Sequence, residues 1–532
     1  MTGTISEHAS TSVRQATLTG TKTDQPFDLV VIGGGATGLG VALDAVHRGY
    51  RVALFERYDF AKGTSSRSTK LLHGGVRYLA QGNVSLVREA LHERSTLMAM
   101  APHLAQPLAF LMPCYRALDL PFYWAGLKAY DTLAGRKGLG KTALINPCKT
   151  RRLLPNIRQR GLKGSVQYWD GQFDDARFAL AMARTAAQKG ALIANYCEVQ
   201  SIEHADGRVQ GVTVRDVETN QTWSVPTRCV VNATGVWVDQ LRQIDEQAAG
   251  QSAEPMVAPS QGIHIVLDRE FMPSDQALII PKTSDGRVLF ALPWLGKIVL
   301  GTTDTPRDEI PVEPKPLREE IDFLIREAAN YLQKAPTLQD IRSLWVGLRP
   351  LVKPINQGPG DTKSISREHT ILSSPSGMVT VTGGKWTTYR VMAQDTLAHC
   401  IKSGVLKPST PSHDLIRLVG AQNQAVTTRK LGNQPDLLAY GDEANQVQAL
   451  PGADREIAYG LTEAMVRFAA RYEYARTVED VLARRSRLLF LDAESARQCA
   501  QIVADILQEE TQTDPQLDQF MTLSEQYLHI PV

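Results

Sequence analysis

The apolar positions at the start of the ordered chain fall in short runs punctuated by glycines. Residues 27–32 (FDLVVI) form a β-rich apolar run ending in Gly33-Gly34-Gly35, the pattern of a strand buried on both faces. Helical spacing follows over 36–48, and a second apolar run at 51–56 (RVALFE) reads as the next strand, so the chain opens as strand, helix, strand. Over 102–163, prolines, glycines, aromatics and basic residues interrupt any periodicity, and irregular structure is expected there. A helix is expected over 176–189, and residues 191–235 alternate as strands do before ending in VVNATG. The short runs HIVL, VLFAL and IVLGTT within 256–304 predict an antiparallel sheet. Further helices are expected at 317–333 and 387–399, with a strand at 378–382 between them. Beyond Gly404 a polar, loop-rich stretch leads into helices near 461–472, 477–490 and 492–508.

This succession predicts an α/β fold with a Rossmann-like nucleotide-binding domain assembled from 26–100, 155–255 and 340–400. An antiparallel-sheet substrate or cap domain (101–154 and 256–339) and a C-terminal helical domain (401–532) complete it, behind a flexible tail at 1–25. A chain of 532 residues exceeds what one hydrophobic core organises, which agrees with several domains.

Composition narrows the chemistry. The net charge is only +2, so the molecule lacks the polycation character that nucleic acid selects, and any attraction for anions must be local. Six cysteines lie far apart with no CxxC, which argues against a disulfide or zinc framework and for a reducing compartment; no metal site is expected. No apolar stretch is long enough to span a bilayer. The first 25 residues lack an apolar signal core, so a cytoplasmic location is expected.

Gly33, Gly35 and Gly38 form GxGxxG between the first strand and helix. Glycines there allow a tight turn and close backbone approach to a pyrophosphate seated on the helix N-terminus. Glu56 closes the second strand, where a carboxylate can accept hydrogen bonds from ribose hydroxyls. A bare GxGxxG fits a glycine turn in many proteins; the strand–helix–strand–Glu context makes it a dinucleotide site.

The residues that follow, GTSSRSTKLLHGGVRYL (63–79), together with VNATGVW (231–237), GTTD (301–304), GLRPL (347–351) and GGKWTTYR (383–390), resemble the FAD-dependent glycerol-3-phosphate dehydrogenases. These belong to the wider D-amino-acid-oxidase-like flavoprotein group. The resemblance runs in order from about residue 26 to 400, and VEDVLARRSRLLFLD (478–492) is similar to that family's C-terminal helical domain. It implies FAD, with Ser65, Ser66, Thr69 and Lys70 donating to the diphosphate and ribityl chain, and Val199 meeting the adenine. It also assigns Leu71, Gly235, Gly383, Gly384 and Thr387 to the cofactor. Gly383 and Gly384 open a helix whose N–H groups would favour a reduced, negatively charged ring.

The same resemblance implies sn-glycerol 3-phosphate as substrate. A phosphate monoester requires Arg or Lys in fitting geometry, and Arg77, Tyr78, Arg349 and Lys385 are the candidates, with Thr302 toward a substrate oxygen. Oxidising the C2 alcohol also requires a base. His264, in QGIHIVL, is preferred, and His73, in LLHGG, is the alternative that orients substrate or ring. Arg349 would in addition stabilise a developing alkoxide. The sequence departs from the family pattern at Gln261, Ile263 and Trp386.

The resemblance further implies a quinone as electron acceptor, reached at a membrane. Residues 120–141 mix Phe122, Tyr123, Trp124 and Tyr130 with Lys128, Arg136, Lys137 and Lys141, the composition of an interfacial helix with basic flanks and equally of a helix packed on its own domain. The expectation is therefore a peripheral protein on the inner face of the cytoplasmic membrane, with a homodimer as a further expectation. Two other readings stand beside it: an oxidase of the same fold using oxygen, and a flavin-binding scaffold that recognises a partner through its C-terminal helices.

Overall fold

The computed structural model describes residues 9–531 except 77–78, 80–81, 249, 251, 354–367, 411–413 and 424–428. The opening strand, Leu29–Ile32, lies inside a six-stranded sheet, flanked by Val230–Asn232 and Val52–Phe55. Leu192–Ala194 extends the sheet on one side, and Val379–Gly383 with His369–Ser373 on the other. All pairings are parallel except that of the 369–373 edge. Leu29, Val30 and Val31 expose no surface, as an unbroken apolar run buried on both sides requires. The helices Ala36–His47, Asp175–Gln188 and Tyr389–Lys402 share one core with this sheet through Leu39, Phe178 and Leu397. A three-stranded antiparallel sheet (Cys197–Ala205, Arg208–Asp216, Thr222–Pro226) packs Val209, Val212 and Val225 against the other side, with Val30 and Phe55.

A ten-stranded sheet forms the second body. Its spine is Val257–Asp268, paired antiparallel with Lys297–Gly301 and with Ser343–Val352. Part of the stretch expected to be irregular is strand: Ala105–Cys114 pairs along its whole length with Gly164–Phe173. Its prolines, Pro107 and Pro113, are tolerated because the partner on the other side reaches only Phe110 and Leu111, so no ladder donor is missed. Gly164–Phe173 and Ser343–Val352, grouped by sequence with the nucleotide-binding part, thus belong to the large sheet. The remainder of that stretch includes the helix Asp119–Ala134, which buries Leu127, Tyr130 and Ala134 and leaves Phe122 72% exposed.

Two further expectations change. The supposed tail contains the helix Ala9–Thr21, where Arg14 forks onto Asp216 at 2.6 and 3.4 Å and Leu18 is buried. In the C-terminal domain the helices Glu463–Tyr472, Ala493–Thr511 and Leu517–Leu528 enclose a core with Phe468, Phe490 and Val503. The continuous helix expected at 477–490 is broken. Asp480–Arg485 is a π-turn, Arg487 takes φ +69°, and Leu488–Leu491 is a single short helical turn. Arg484, Arg485 and Arg487 are all buried here, and the break turns them toward carboxylates and carbonyls of the nucleotide-binding part.

Candidate active site

A cavity of about 430 Å³ opens along the glycine turn. Gly33 has φ +110°, and a Cβ on it would lie 2.6 Å from the Ala233 carbonyl oxygen. A Cβ on Gly38 would lie 2.0 Å from the Gly33 oxygen, so this glycine seats the helix against the strand rather than lining the cavity. Glu56 lines the cavity and accepts the backbone N–H of Gly34 (2.6 Å) and of Tyr58 (2.8 Å). Burial raises its carboxyl above the usual range, against the pull of these two donors. Gly35, Ser65, Val199, Gly235, Gly383 and Gly384 also line the cavity, as does Lys385. Gly383 and Gly384 have φ +84° and +69°, which carries the backbone around the cavity wall into the helix at Tyr389. A glycine cradle that any Cβ would fill, facing a half-buried carboxylate, fits a dinucleotide.

The loop after Ser65 departs from its expected role. Ser65 Oγ accepts the Ala36 N–H (2.9 Å) at the helix start, but Ser66, Thr69, Lys70, Leu71 and Thr387 are not on the cavity wall. The Lys70 ammonium is wholly buried, donating to Asp175 (2.8 Å) and to the Ser66 carbonyl (2.7 Å). Burial draws it down to about 7, against the pull of Asp175. It is committed to the interior and not to a diphosphate. Leu71 is a buried strand residue paired with Gln172. Thr387 Oγ1 accepts the His73 backbone N–H at 3.2 Å. Arg77 and Tyr78 lie outside the described residues.

A second cluster sits on the large sheet beside the cavity. Along Val257–Asp268 and Ser343–Val352 the register sets Ser260 opposite Arg349, Gly262 opposite Gly347, and His264 opposite Trp345. Alternation puts all six on one face. The paired glycines leave a notch between His264 and Arg349. On one side it receives the Arg349 guanidinium, which a Gly262 Cβ would meet at 2.4 Å, and Thr302 Oγ1, which it would meet at 2.6 Å. Arg349 donates to Asp304 (3.1 Å), the Thr303 carbonyl (2.9 Å) and Thr302 Oγ1 (3.4 Å). Asp304 is buttressed by Ser260. The loop whose Thr69 meets His264 on this face also brings Ser65 to the cavity wall, so the two clusters adjoin.

His264 is buried, its ring stacked on Trp345 with centroids 4.1 Å apart and an interplanar angle of 18°. Its Nε2 lies 2.9 Å from Thr69 Oγ1, and only a glycine at 301 makes room, since a Cβ there would come within 2.2 Å of the ring. Burial, then Lys70 and Arg349, hold the imidazole well below its ordinary value, so it is neutral at physiological pH. Sequence reasoning named His264, Thr302 and Arg349 but not Gly262, Asp304 or Trp345. A period-two reading of GIH against WVGLR would have found the two glycines and the tryptophan. Two of the three departures from the family pattern, Gln261 and Trp386, make defined hydrogen bonds. Gln261 is buried and donates to Glu320 at 2.6 Å, and Trp386 donates to the Ser65 carbonyl at 2.9 Å.

Buried ion pairs fasten the cavity loop to the other bodies. Asp59 is closed by Arg484 (2.5 Å) and by both Nη atoms of Arg485, and these guanidiniums hold it below the usual carboxylate range despite its burial. Lys62, on the cavity wall, pairs with Glu479 and with Glu313, at 2.6 Å from the latter. Arg67 forks onto both oxygens of Glu313 at 2.7 Å.

Residues 28–390 match the family described as FAD dependent oxidoreductase, and 416–517 match the C-terminal domain of alpha-glycerophosphate oxidase. The chain is 40% identical to the mitochondrial glycerol-3-phosphate dehydrogenase of Arabidopsis thaliana, over 95% of this chain and 86% of that one. It is 39% identical to the mitochondrial glycerol-3-phosphate dehydrogenase of Homo sapiens, over 94% and 73%. Among solved structures it is similar to the glycerol-3-phosphate dehydrogenase from Bacillus halodurans complexed with FAD, at TM-score 0.77 and 29% identity, covering 99% of both chains. Glycine oxidase from Geobacillus kaustophilus, 18% identical at TM-score 0.53 over 73% of this chain and 99% of that one, shares the fold.

Proposed function

We propose, since the chain belongs to the FAD-dependent glycerol-3-phosphate dehydrogenases, that it oxidises sn-glycerol 3-phosphate to dihydroxyacetone phosphate and passes the electrons to a quinone. The observation that carries the chemistry is a buried neutral imidazole and a fixed guanidinium, on one sheet face, beside a glycine-lined cavity. FAD, when bound, supplies the hydride acceptor. Gly33, Gly35 and the Gly383-Gly384 turn would hold it by backbone, with Glu56 at the ribose.

The remaining work falls to side chains. Arg349, with Arg77, Tyr78 and Lys385, would grip the phosphorylated substrate, and Thr302 would orient an oxygen. Each charge-assisted contact is worth about 1.5–3 kcal/mol. His264 is the candidate to take the hydroxyl proton. It is already deprotonated near neutral pH, and Thr69 and Trp345 fix its ring plane. His73, tied by its backbone to Thr387, is the candidate to orient the ring or substrate. Anaerobic bleaching of the flavin by glycerol 3-phosphate, with glycerol inert, is the expected result. Failure of glycerol 3-phosphate to bleach it overturns the assignment.

The helix Asp119–Ala134 supports a peripheral membrane seat, with the inner face of the cytoplasmic membrane as the proposed side. Phe122 and Trp124 are exposed on it, as is Leu118 at its N-cap, with Arg136, Lys137 and Lys141 just beyond. No described helix is long and apolar enough to cross a membrane. Flotation with anionic vesicles, lost on Phe122→Ser with Trp124→Ser, tests the seat. A second reading, oxygen as acceptor, draws on the match of 416–517 to an oxidase domain. Stoichiometric peroxide in air without added quinone would favour it.

A further inference from the structure

The C-terminal domain reaches the reacting face through Phe490, which packs on Trp345, and through the charged side chain of Arg487. Arg487, held at φ +69° between the π-turn and the short helix, exposes no surface. Its Nη2 donates to the Ser66 carbonyl at 2.7 Å and to Asp175 Oδ1 at 3.1 Å, and its Nη1 donates to the Ala483 carbonyl at 2.8 Å. Asp175 is the meeting point. Its Oδ2 accepts from Lys70 Nζ (2.8 Å), Ser68 Oγ (2.7 Å) and the Ser68 N–H (3.1 Å). Lys70 also donates to the Ser66 carbonyl, the acceptor it shares with Arg487. Thr69, between two residues fastened to one carboxylate, turns its hydroxyl the other way, onto His264 Nε2. The Lys70 ammonium stands 4.4 Å from the centre of the Trp345 indole on which His264 is stacked.

We propose that Arg487 and Lys70, joined on Asp175, are positioning residues for His264: they lock the 66–70 turn so that Thr69 fixes the imidazole. Neither lines the cavity at the glycine turn, and the proposal rests on His264 being the base. The charges of the lock are buried and paired with one another. Asp175 answers both cations, and Asp174 stands 3.7 Å from Arg487 Nε. A histidine anchored by a single hydroxyl depends on where that hydroxyl is held, and small misplacements of a reacting group are costly in rate.

The test uses flavin-loaded holoenzyme with glycerol 3-phosphate. Arg487→Lys and Thr69→Val are each expected to retain flavin and to leave KM within about twofold, while kcat falls about ten- to a hundredfold. The double variant is expected to fall no lower than the worse single variant, because both act through one contact. Wild-type kcat in flavin-saturated Arg487→Lys, losses that multiply in the double variant, or a loss that merely tracks missing flavin would each overturn the proposal. Should Arg487→Lys not accumulate as folded protein, Ser68→Ala removes one donor from Asp175 and leaves every charge paired. A severalfold fall in kcat is then expected, and an unchanged kcat overturns the lock. His264→Gln separates the two levels. If it keeps wild-type kcat, the reading of His264 as base fails; if it is inactive while flavin-saturated Arg487→Lys keeps wild-type kcat, only the lock fails.

Discussion

Around Gly33 and Gly38 the structure works by omission: the closest approaches are to backbone atoms, of the turn itself and of Ala233 just past the neighbouring strand. On the face of the large sheet, His264, Thr69, Trp345, Thr302 and Arg349 arrive from separate stretches of chain and meet through side chains. The first region is shaped by absent side chains, and the second by side chains that are present, with glycines at 262 and 301 making room for them. A binding cradle and a reacting face are therefore expected to fail in different ways, and four substitutions or conditions separate them.

The largest effect is expected at Gly38. Alanine there would drive a Cβ to 2.0 Å from the Gly33 carbonyl oxygen, a backbone atom that cannot yield. Gly38→Ala should give flavin-free or unfolded protein, read from the flavin-to-protein ratio and far-ultraviolet dichroism. Arg349→Ala should instead keep its flavin and lose about a hundredfold or more in kcat/KM for glycerol 3-phosphate, as charge-assisted contacts are removed. If it emerges colourless, the distinction between cradle and face collapses. Gly262→Ala sharpens the division further. Its Cβ meets the Arg349 guanidinium and the Thr302 hydroxyl, both able to swing aside, so a loss of about ten- to a hundredfold in kcat/KM at full flavin content is expected.

The smallest effect is that of pH. Burial, with Lys70 and Arg349, sets the folded-state value of His264 well below its ordinary one. Ionisation of His264 should accordingly cost no turnover from neutral pH upward and should bring a fall only in acid. The folded protein takes up this proton less readily than the unfolded chain. The stability associated with a neutral His264 is therefore complete above about pH 6.5 and is lost as the pH falls below it toward the folded value. The difference in melting temperature between wild type and His264→Gln should narrow on acidification; a constant difference would show that the ring titrates normally.

The cradle was legible because its signal is local: spacing, glycine and a carboxylate within one strand–helix–strand unit. The face was legible only in part. His264 and Arg349 came from the family resemblance, and no local rule marked Asp304 or Trp345. Lys70 was misassigned because sequence gives a lysine beside serines but not its direction, and Asp175, which claims it, lies on another element. The strand at 105–114 was hidden by prolines that are harmless where the ladder is one-sided. The break at 480–487 was hidden because helical periodicity cannot register arginines whose partners lie hundreds of positions earlier.

That separation bears on how the molecule is made. Asp59 and the guanidinium of Arg485 are 426 positions apart. While the chain is being synthesised, the opening βαβ unit must therefore wait with a carboxylate destined for the interior still in water. Sealing it early without a counter-charge would cost several kcal/mol. The nucleotide-binding half is thus tied to the arrival of the last helices, and chains that terminate before residue 484 should be recognised by chaperones and proteases as unfinished.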